Sequence, residues 1–406
     1  MAAAFFIIGS YEIARASVES VFLEVYGPDW LPWAWVMVGL ASAGAVELYG
    51  RAAARMPLGR VLGAAALVSA AVLGACLLGV SGKLPGAAFA LYVWKDVYVV
   101  VLIEAFWSRA NARFRTEDAK SVYGVLTASG SLAGVVCGAA VGPLASALGT
   151  TRTLSLLIPW LGALGLVLLL FSRDPEARAE VSDAKKPRGG LVEGLRTVWS
   201  SRYLTPLLGL ILTTQLVITL VDWLFSAEAG AAFPDTDVRT GVIGQVYAGI
   251  NAGAFVLQLG TGLVIGLLGV RGVLAGIPLV LGAAVAGHVV VPVFAFAAAS
   301  KVASKVFDYS IFRAAKEMLY IPLGRAEKAQ GKAVVDMLTY RSAKAGAAAL
   351  VGVLVAVAST RGVEAVIGAL LVVWVGLALL IGGRYRETLV RADSRSGDEP
   401  IFDDAA

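Results

Sequence analysis

The sequence predicts an all-α polytopic membrane protein with about 12 transmembrane helices in two pseudo-symmetric six-helix halves. Three observations predict it. Of the 406 residues, 58% are hydrophobic and only 16% charged, with a mean hydropathy of +0.78. A soluble chain averages about 25% charged residues, so the implied solvent is a bilayer. Twelve apolar stretches of spanning length follow one another, and those that carry ionisable residues recur at every third position.

Spans 1 to 6 centre near Ala14, Ala41, Ala70, Val99, Ala133 and Leu164, and spans 7 to 12 near Leu212, Ala254, Val280, Ala303, Leu350 and Leu371. A hydrocarbon layer of about 30 Å takes about 20 helical residues, which the mostly short polar breaks allow. Spans 1, 4 and 10 are the least apolar because they contain charges. The chain has no Lys or Arg before its first hydrophobic run and no small-residue cleavage site after it, so this run reads as span 1 and not as a signal peptide.

The longest polar break divides the chain into an N-terminal half at 1–172, a linker at 173–202 and a C-terminal half at 203–383. The tail at 384–406, with its acidic end, is expected to be disordered. Threading the spans alternately places Arg51, Arg55, Arg60, Arg109, Arg113, Arg115, Lys120 and the seven basic residues of the linker region on the side of the N-terminus. The opposite side receives Lys83, Arg152, Arg239 and Arg361. The positive-inside rule then predicts cytoplasmic termini in a bacterial inner membrane. It also accounts for the net charge of +5 without nucleic acid, which would require a basic water-facing surface.

One histidine, His288, and two cysteines, Cys76 and Cys137, exclude the usual zinc, haem and iron–sulfur sites, so no metal or cofactor is expected. No nucleophile–base pairing is evident either, and the chain is not expected to be an enzyme.

An ionisable side chain at membrane depth is costly and marks an aqueous pathway. Span 1 carries Glu12, Arg15 and Glu19; span 4 carries Lys95, Asp96 and Glu104; span 7 carries Asp222; span 10 carries Lys301, Lys305 and Asp308. This period of three suits four three-helix repeats whose first helices line a central cavity, as in the major facilitator architecture. At 100° per residue, Glu12, Arg15 and Glu19 share an arc of about 60°. The competing reading makes Arg15–Glu19 and Lys305–Asp308 self-neutralising pairs within one helix, which would not explain the period. An internal repeat sets Trp94-Lys-Asp-Val-Tyr beside Ser304-Lys-Val-Phe-Asp-Tyr, and Val18-Glu-Ser-Val-Phe beside Val221-Asp-Trp-Leu-Phe. It predicts a pseudo-symmetric site of acids Glu19 and Asp222 and bases Lys95 and Lys305. Glycines four apart, Gly130, Gly134 and Gly138 in span 5 and Gly249 and Gly253 in span 8, predict close helix packing.

The run Tyr309-Ser-Ile-Phe-Arg-Ala-Ala-Lys-Glu-Met-Leu-Tyr-Ile-Pro-Leu, then Gly331-Lys-Ala-Val-Val-Asp, Arg341 and Lys344, resembles the nucleotide (ADP/ATP) translocases of plastids and intracellular bacteria. The signature is matched at Lys316, Glu317, Tyr320, Pro322, Gly331, Lys332, Asp336, Lys344 and Gly346. Weaker similarity covers Phe106-Trp-Ser-Arg-Ala-Asn-Ala and Leu220-Val-Asp. Val18 departs from a second base in the family's first helix, and Lys95 from a Glu in its fourth. The resemblance implies an alternating-access transporter of a small organic anion, possible substrates being nucleotides and other phosphorylated metabolites. The expected substrate residues are Arg15, Glu19, Lys95, Asp222, Lys301, Lys305, Asp308, Lys316, Glu317 and Lys344. Basic residues around spans 10 and 11 outnumber acidic ones there, so the cavity is expected to carry surplus positive charge. The alternatives are a proton-coupled exporter of apolar or amphipathic compounds and a non-transporting relative that has lost the site. The oligomeric state is not legible.

Overall fold

The computed structural model of the chain describes residues 2–113, 116–171, 196, 198–323, 344–357 and 360–396. No strand occurs among the described residues. The helices are α1 (Ala2–Tyr26), α2 (Leu31–Ala53), α3 (Leu58–Ser81), α4 (Ala87–Arg113), α5 (Thr116–Leu148), α6 (Thr150–Ser155) and α7 (Leu157–Phe171). In the C-terminal half follow α8 (Leu204–Ala232), α9 (Thr236–Val290), α10 (Phe294–Tyr309), α11 (Ile311–Met318), α12 (Lys344–Val357) and α13 (Thr360–Ser396). Each predicted span finds its helix: α6 and α7 together form span 6, α9 holds spans 8 and 9, and α10 with α11 forms span 10.

The 55-residue α9 is two helices joined at Gly269, whose φ of 67° lies in the left-handed region that side chains disfavour. Its arms are 236–268 and 270–290. Asp235 caps the first arm, its carboxylate accepting from the backbone N–H of Asp237 and Val238 at 3.0 and 2.9 Å. Among the described residues seven stretches are long and apolar enough to cross a bilayer, and α1, α4 and α10 are not among them. Those three are the helices whose charges lower their hydropathy. Large apolar side chains such as Leu40, Leu78, Leu170, Leu259, Leu267 and Val357 cover the outside of the bundle, where lipid replaces water.

Every residue of α1 from Glu12 to Leu23 is buried, because α4, α5, α7 and α9 surround it. A helix enclosed on all sides needs no amphipathic stripe, and its polar residues meet protein instead of lipid. The halves join along α5 and the first arm of α9, and along α2 and α12. Glycine makes the first seam close. A Cβ on Gly142 would lie 3.3 Å from Cα of Gly241, and one on Gly138 would lie 3.2 Å from Ala248. Gly134 belongs to the same seam, facing Asn251, whereas Gly249 faces open space and Gly253 meets Val306 of α10.

Hydrogen bonds tie the halves at the end where α1 finishes and α9 starts. The Thr150 amide and hydroxyl both donate to Asp237 at 2.7 Å, and the hydroxyl lies 3.0 Å from that of Thr240. Arg239 donates to the Ser20 carbonyl at 2.7 Å, Thr236 to Glu24 at 2.7 Å, and Trp223 to the Pro28 carbonyl at 3.2 Å.

Almost all of the predicted linker lies outside the described residues, as do Gly331, Lys332, Asp336 and Arg341. The expected disordered tail is corrected in part: α13 continues through Gly382 and Gly383 to Ser396. Beyond Gly383 the sequence Arg-Tyr-Arg-Glu-Thr-Leu-Val-Arg-Ala is made mainly of good helix formers, so an established helix propagates into water at little cost.

Candidate functional site

At the centre of the bundle α1, α4, α8, the first arm of α9 and α10 bring charged side chains together. Lys301 and Lys305 are one turn apart on α10, and both reach Asp222 of α8: Lys301 Nζ donates to Oδ1 at 2.8 Å, and Lys305 Nζ lies 2.9 Å from Oδ2. Lys301 is only 3% exposed, so its charge has little solvent to screen it. Its ammonium also faces the rings of Phe225 and Tyr247 at 5.1 and 5.4 Å.

In the N-terminal half Lys95, also 3% exposed, donates to Asp96 beside it on α4 at 2.8 Å and sits 4.0 Å from the Tyr92 ring. Tyr11 of α1 donates to the other oxygen of Asp96 at 3.1 Å. Arg15 pairs with Glu12 at 3.4 Å, and its guanidinium lies 3.4 Å from the centroid of the Tyr247 ring. The negative face of the ring attracts a guanidinium placed so close to it. Glu19 accepts from Ser226 of α8 at 2.5 Å and from Tyr247 of α9 at 3.1 Å, so a carboxylate of one half is held by hydroxyls of the other.

Of the ten predicted residues, Arg15, Glu19, Lys95, Asp222, Lys301 and Lys305 line this centre, and Asp308 follows one turn further along α10. Lys316 and Glu317 stand on α11, beyond a break at Ser310, with Lys316 half-buried and Glu317 exposed. Lys344 opens α12, and its side chain lies outside what is described. The break has a partner: Gln258 of α9 donates to the Tyr309 carbonyl at 2.9 Å, satisfying a backbone acceptor near the interruption.

The structure decides against the competing reading of the charged helices and corrects the predicted symmetry of the site. Arg15 pairs with Glu12 and not Glu19, and Lys305 with Asp222 across helices, so the self-neutralising pairs do not form. Lys95 bonds Asp96, so the two halves do not pair acid and base in the same way. At the centre itself Arg15, Lys95, Lys301 and Lys305 stand with Glu12, Glu19, Asp96 and Asp222, and Asp308 follows one turn along α10. The surplus counted in the sequence rests on Lys316 beyond the break and on Arg341 and Lys344.

Sequence reasoning missed Tyr247, Tyr11 and Ser226, all uncharged. Their signal is four-residue spacing from site residues: Tyr11 precedes Arg15, Ser226 follows Asp222, and Tyr247 precedes Asn251 on the face of α9 turned to α5. His288 belongs elsewhere. At 1% exposure it lies 2.5 Å from Glu364 of α13 and 3.7 Å from Glu228 of α8, tying three helices of the C-terminal half together.

Residues 256–383, which include α10, α11 and their signature, match the family described as TLC ATP/ADP transporter. The chloroplastic ADP,ATP carrier protein 1 of Arabidopsis thaliana is 27% identical over 282 residues, 61% of this chain. The match covers 44% of that carrier's length. Over these residues the chain is similar to ATP/ADP transporters. Its fold is that of major facilitator-like transporters. A mutant form of the nucleoside transporter NupG aligns with a TM-score of 0.67 and 11% identity over 95% of this chain and 98% of that one. A bacterial homologue of the iron transporter ferroportin, solved inward-facing, aligns with a TM-score of 0.63 and 13% identity over 95% and 96%. A bacterial homologue of the human lysosomal transporter Spinster, inward-facing and unoccupied, gives 0.61 and 13% over 96% and 97%. These likenesses concern the fold, and the ATP/ADP transporter match concerns the C-terminal half above all.

Proposed function

We propose that the chain is an alternating-access carrier, not an enzyme, for a small organic anion, with nucleotides and other phosphorylated metabolites as the substrate class. One observation carries the reading: Lys301 and Lys305 converge on a single carboxylate, Asp222, at the centre of the bundle. Two lysines sharing one acceptor retain N–H donors for a phosphate or carboxylate, and charge-assisted hydrogen bonds are strong where water is thin. An anion entering between α8 and α10 would take over bonds that Asp222 now accepts. Arg15, held over the Tyr247 ring, would supply a second anchor from the other half. Glu19, Lys95 and Asp308 shape the same cavity, while Lys316, Glu317 and Lys344 act along the route to it.

With the basic loops inside a bacterial inner membrane, both termini are cytoplasmic. The end tied by Thr150, Asp237 and Arg239 then faces outward. In this reading the carrier is closed on its outer side, and those bonds must break when it opens there.

Thermal unfolding of the detergent-purified protein tests the substrate class, with ATP, ADP, sugar phosphates, carboxylates and apolar drugs compared. A ligand that binds only the folded state at a hundred times its Kd adds about 2.7 kcal/mol. Stabilisation by a phosphorylated anion that is lost in Lys305→Ala is the expected result. Stabilisation by an apolar compound alone would overturn the substrate class.

A further inference from the structure

Among the central carboxylates, Glu19, Asp96 and Asp222 each have both oxygens engaged: by Ser226 and Tyr247, by Tyr11 and Lys95, and by the two lysines of α10. Glu12 differs. Its Oε1 lies 3.4 Å from Arg15, the long end of such contacts, and its Oε2 is buried with no hydrogen-bond partner among the described residues. The residue is only 4% exposed. Beside it on α9 stands Asn251, whose amide interacts with the Glu12 carboxylate although its buried Nδ2 makes no bond of ordinary geometry.

The groups that face Glu12 are Tyr11 and Arg15 of its own helix, Tyr98 of α4, Cys137 of α5 and Asn251 of α9. Arg15 is the one cation in this set. A buried carboxylate keeps its charge only while that countercharge attends to it, and otherwise becomes neutral by binding a proton.

We propose that Glu12 is a proton-binding site coupled to anion binding through Arg15. The inference rests on the proposed anion transport. The four central bases already face as many acids, with Asp308 a turn beyond, so a polyanion entering them brings uncompensated negative charge. When Arg15 turns its N–H donors to the anion, Glu12 loses its only countercharge. The carboxylate then takes a proton from solvent and becomes the neutral acid, its new O–H beside the amide of Asn251. One proton is bound for each anion bound, no bond other than the O–H is made, and release of the anion returns the proton. The affinity for the anion consequently rises as pH falls.

The test uses the full-length protein in detergent, lightly buffered, with an indicator dye and ADP as probe. Wild type should take up about one proton per ADP bound near neutral pH, and Glu12→Gln close to none. ADP affinity of the wild type should rise by about tenfold for each pH unit lowered, a measurement that stands even where Glu12→Gln fails to fold. Asn251→Asp adds a second carboxyl beside Glu12 and should shift this pH dependence without abolishing it. ADP binding without proton uptake, or equal uptake in Glu12→Gln, would overturn the inference while leaving anion binding intact. No binding of ADP, ATP or inorganic phosphate to the wild type would overturn the anion reading itself, and the proton site with it.

Discussion

In the C-terminal half, Lys301 and Lys305 of α10 reach across to Asp222 of α8, whereas in the N-terminal half Lys95 bonds the next residue of its own helix and Arg15 a residue three before it. Repeated sequence has therefore produced two electrostatic arrangements. Charges paired across helices clamp those helices, and removal of the shared acid strands two cations. Charges paired within a helix travel with it as a unit. Glu19 accepts its hydrogen bonds from Ser226 and Tyr247 of the other half. The C-terminal half thus holds two lysines on one acid, and the N-terminal half supplies the acid that joins the halves.

The sharpest way to break this comparison is Asp222→Asn, which leaves Lys301 and Lys305 facing a neutral amide. Breaking a buried pair by removing one partner costs about 3 kcal/mol, so thermal unfolding should fall well below wild type. An unchanged midpoint would show that the clamp carries no stability. Next in size is Gly138→Leu, which forces a side chain into Ala248 across the seam between the halves. Overpacking of this kind costs about 2 kcal/mol, read in the same unfolding assay; the equivalent change at Gly249, which faces open space, should cost far less.

Lys95→Ala against Lys305→Ala tests the asymmetry itself. Asp222 keeps its bond from Lys301 when Lys305 is lost, while loss of Lys95 removes the ammonium that donates to Asp96 at 2.8 Å. The Lys95 variant should be the less stable by about 1 kcal/mol. Equal losses would mean that the two halves use their lysines alike. The smallest effect is expected for Thr150→Val, which removes the hydroxyl bonds to Asp237 and Thr240 but leaves the amide bond. It should cost about 1 kcal/mol, read in the same unfolding assay.

Much of this was legible in the sequence because hydropathy and charge are local quantities. The twelve spans, the soft status of spans 1, 4 and 10 and the convergence of Arg15, Glu19, Lys95, Asp222, Lys301 and Lys305 follow from where apolar runs are interrupted. Which charge meets which was not legible. Pairing depends on helix rotation and depth, and a side chain such as Lys305 has equally good partners one turn away and across a cavity. Tyr247 escaped notice because an uncharged aromatic residue in an apolar span costs little and leaves no mark on hydropathy. The helical extension to Ser396 escaped because charge suggests solvent without excluding a helix that begins in the membrane.

Exchange in proteoliposomes tests the central claim most directly: labelled ADP is offered outside, unlabelled ATP is enclosed, and wild type is compared with the Lys301→Gln/Lys305→Gln double variant. The account predicts uptake by the wild type that depends on the enclosed anion and is lost in the double variant. Undiminished exchange without both lysines would contradict it.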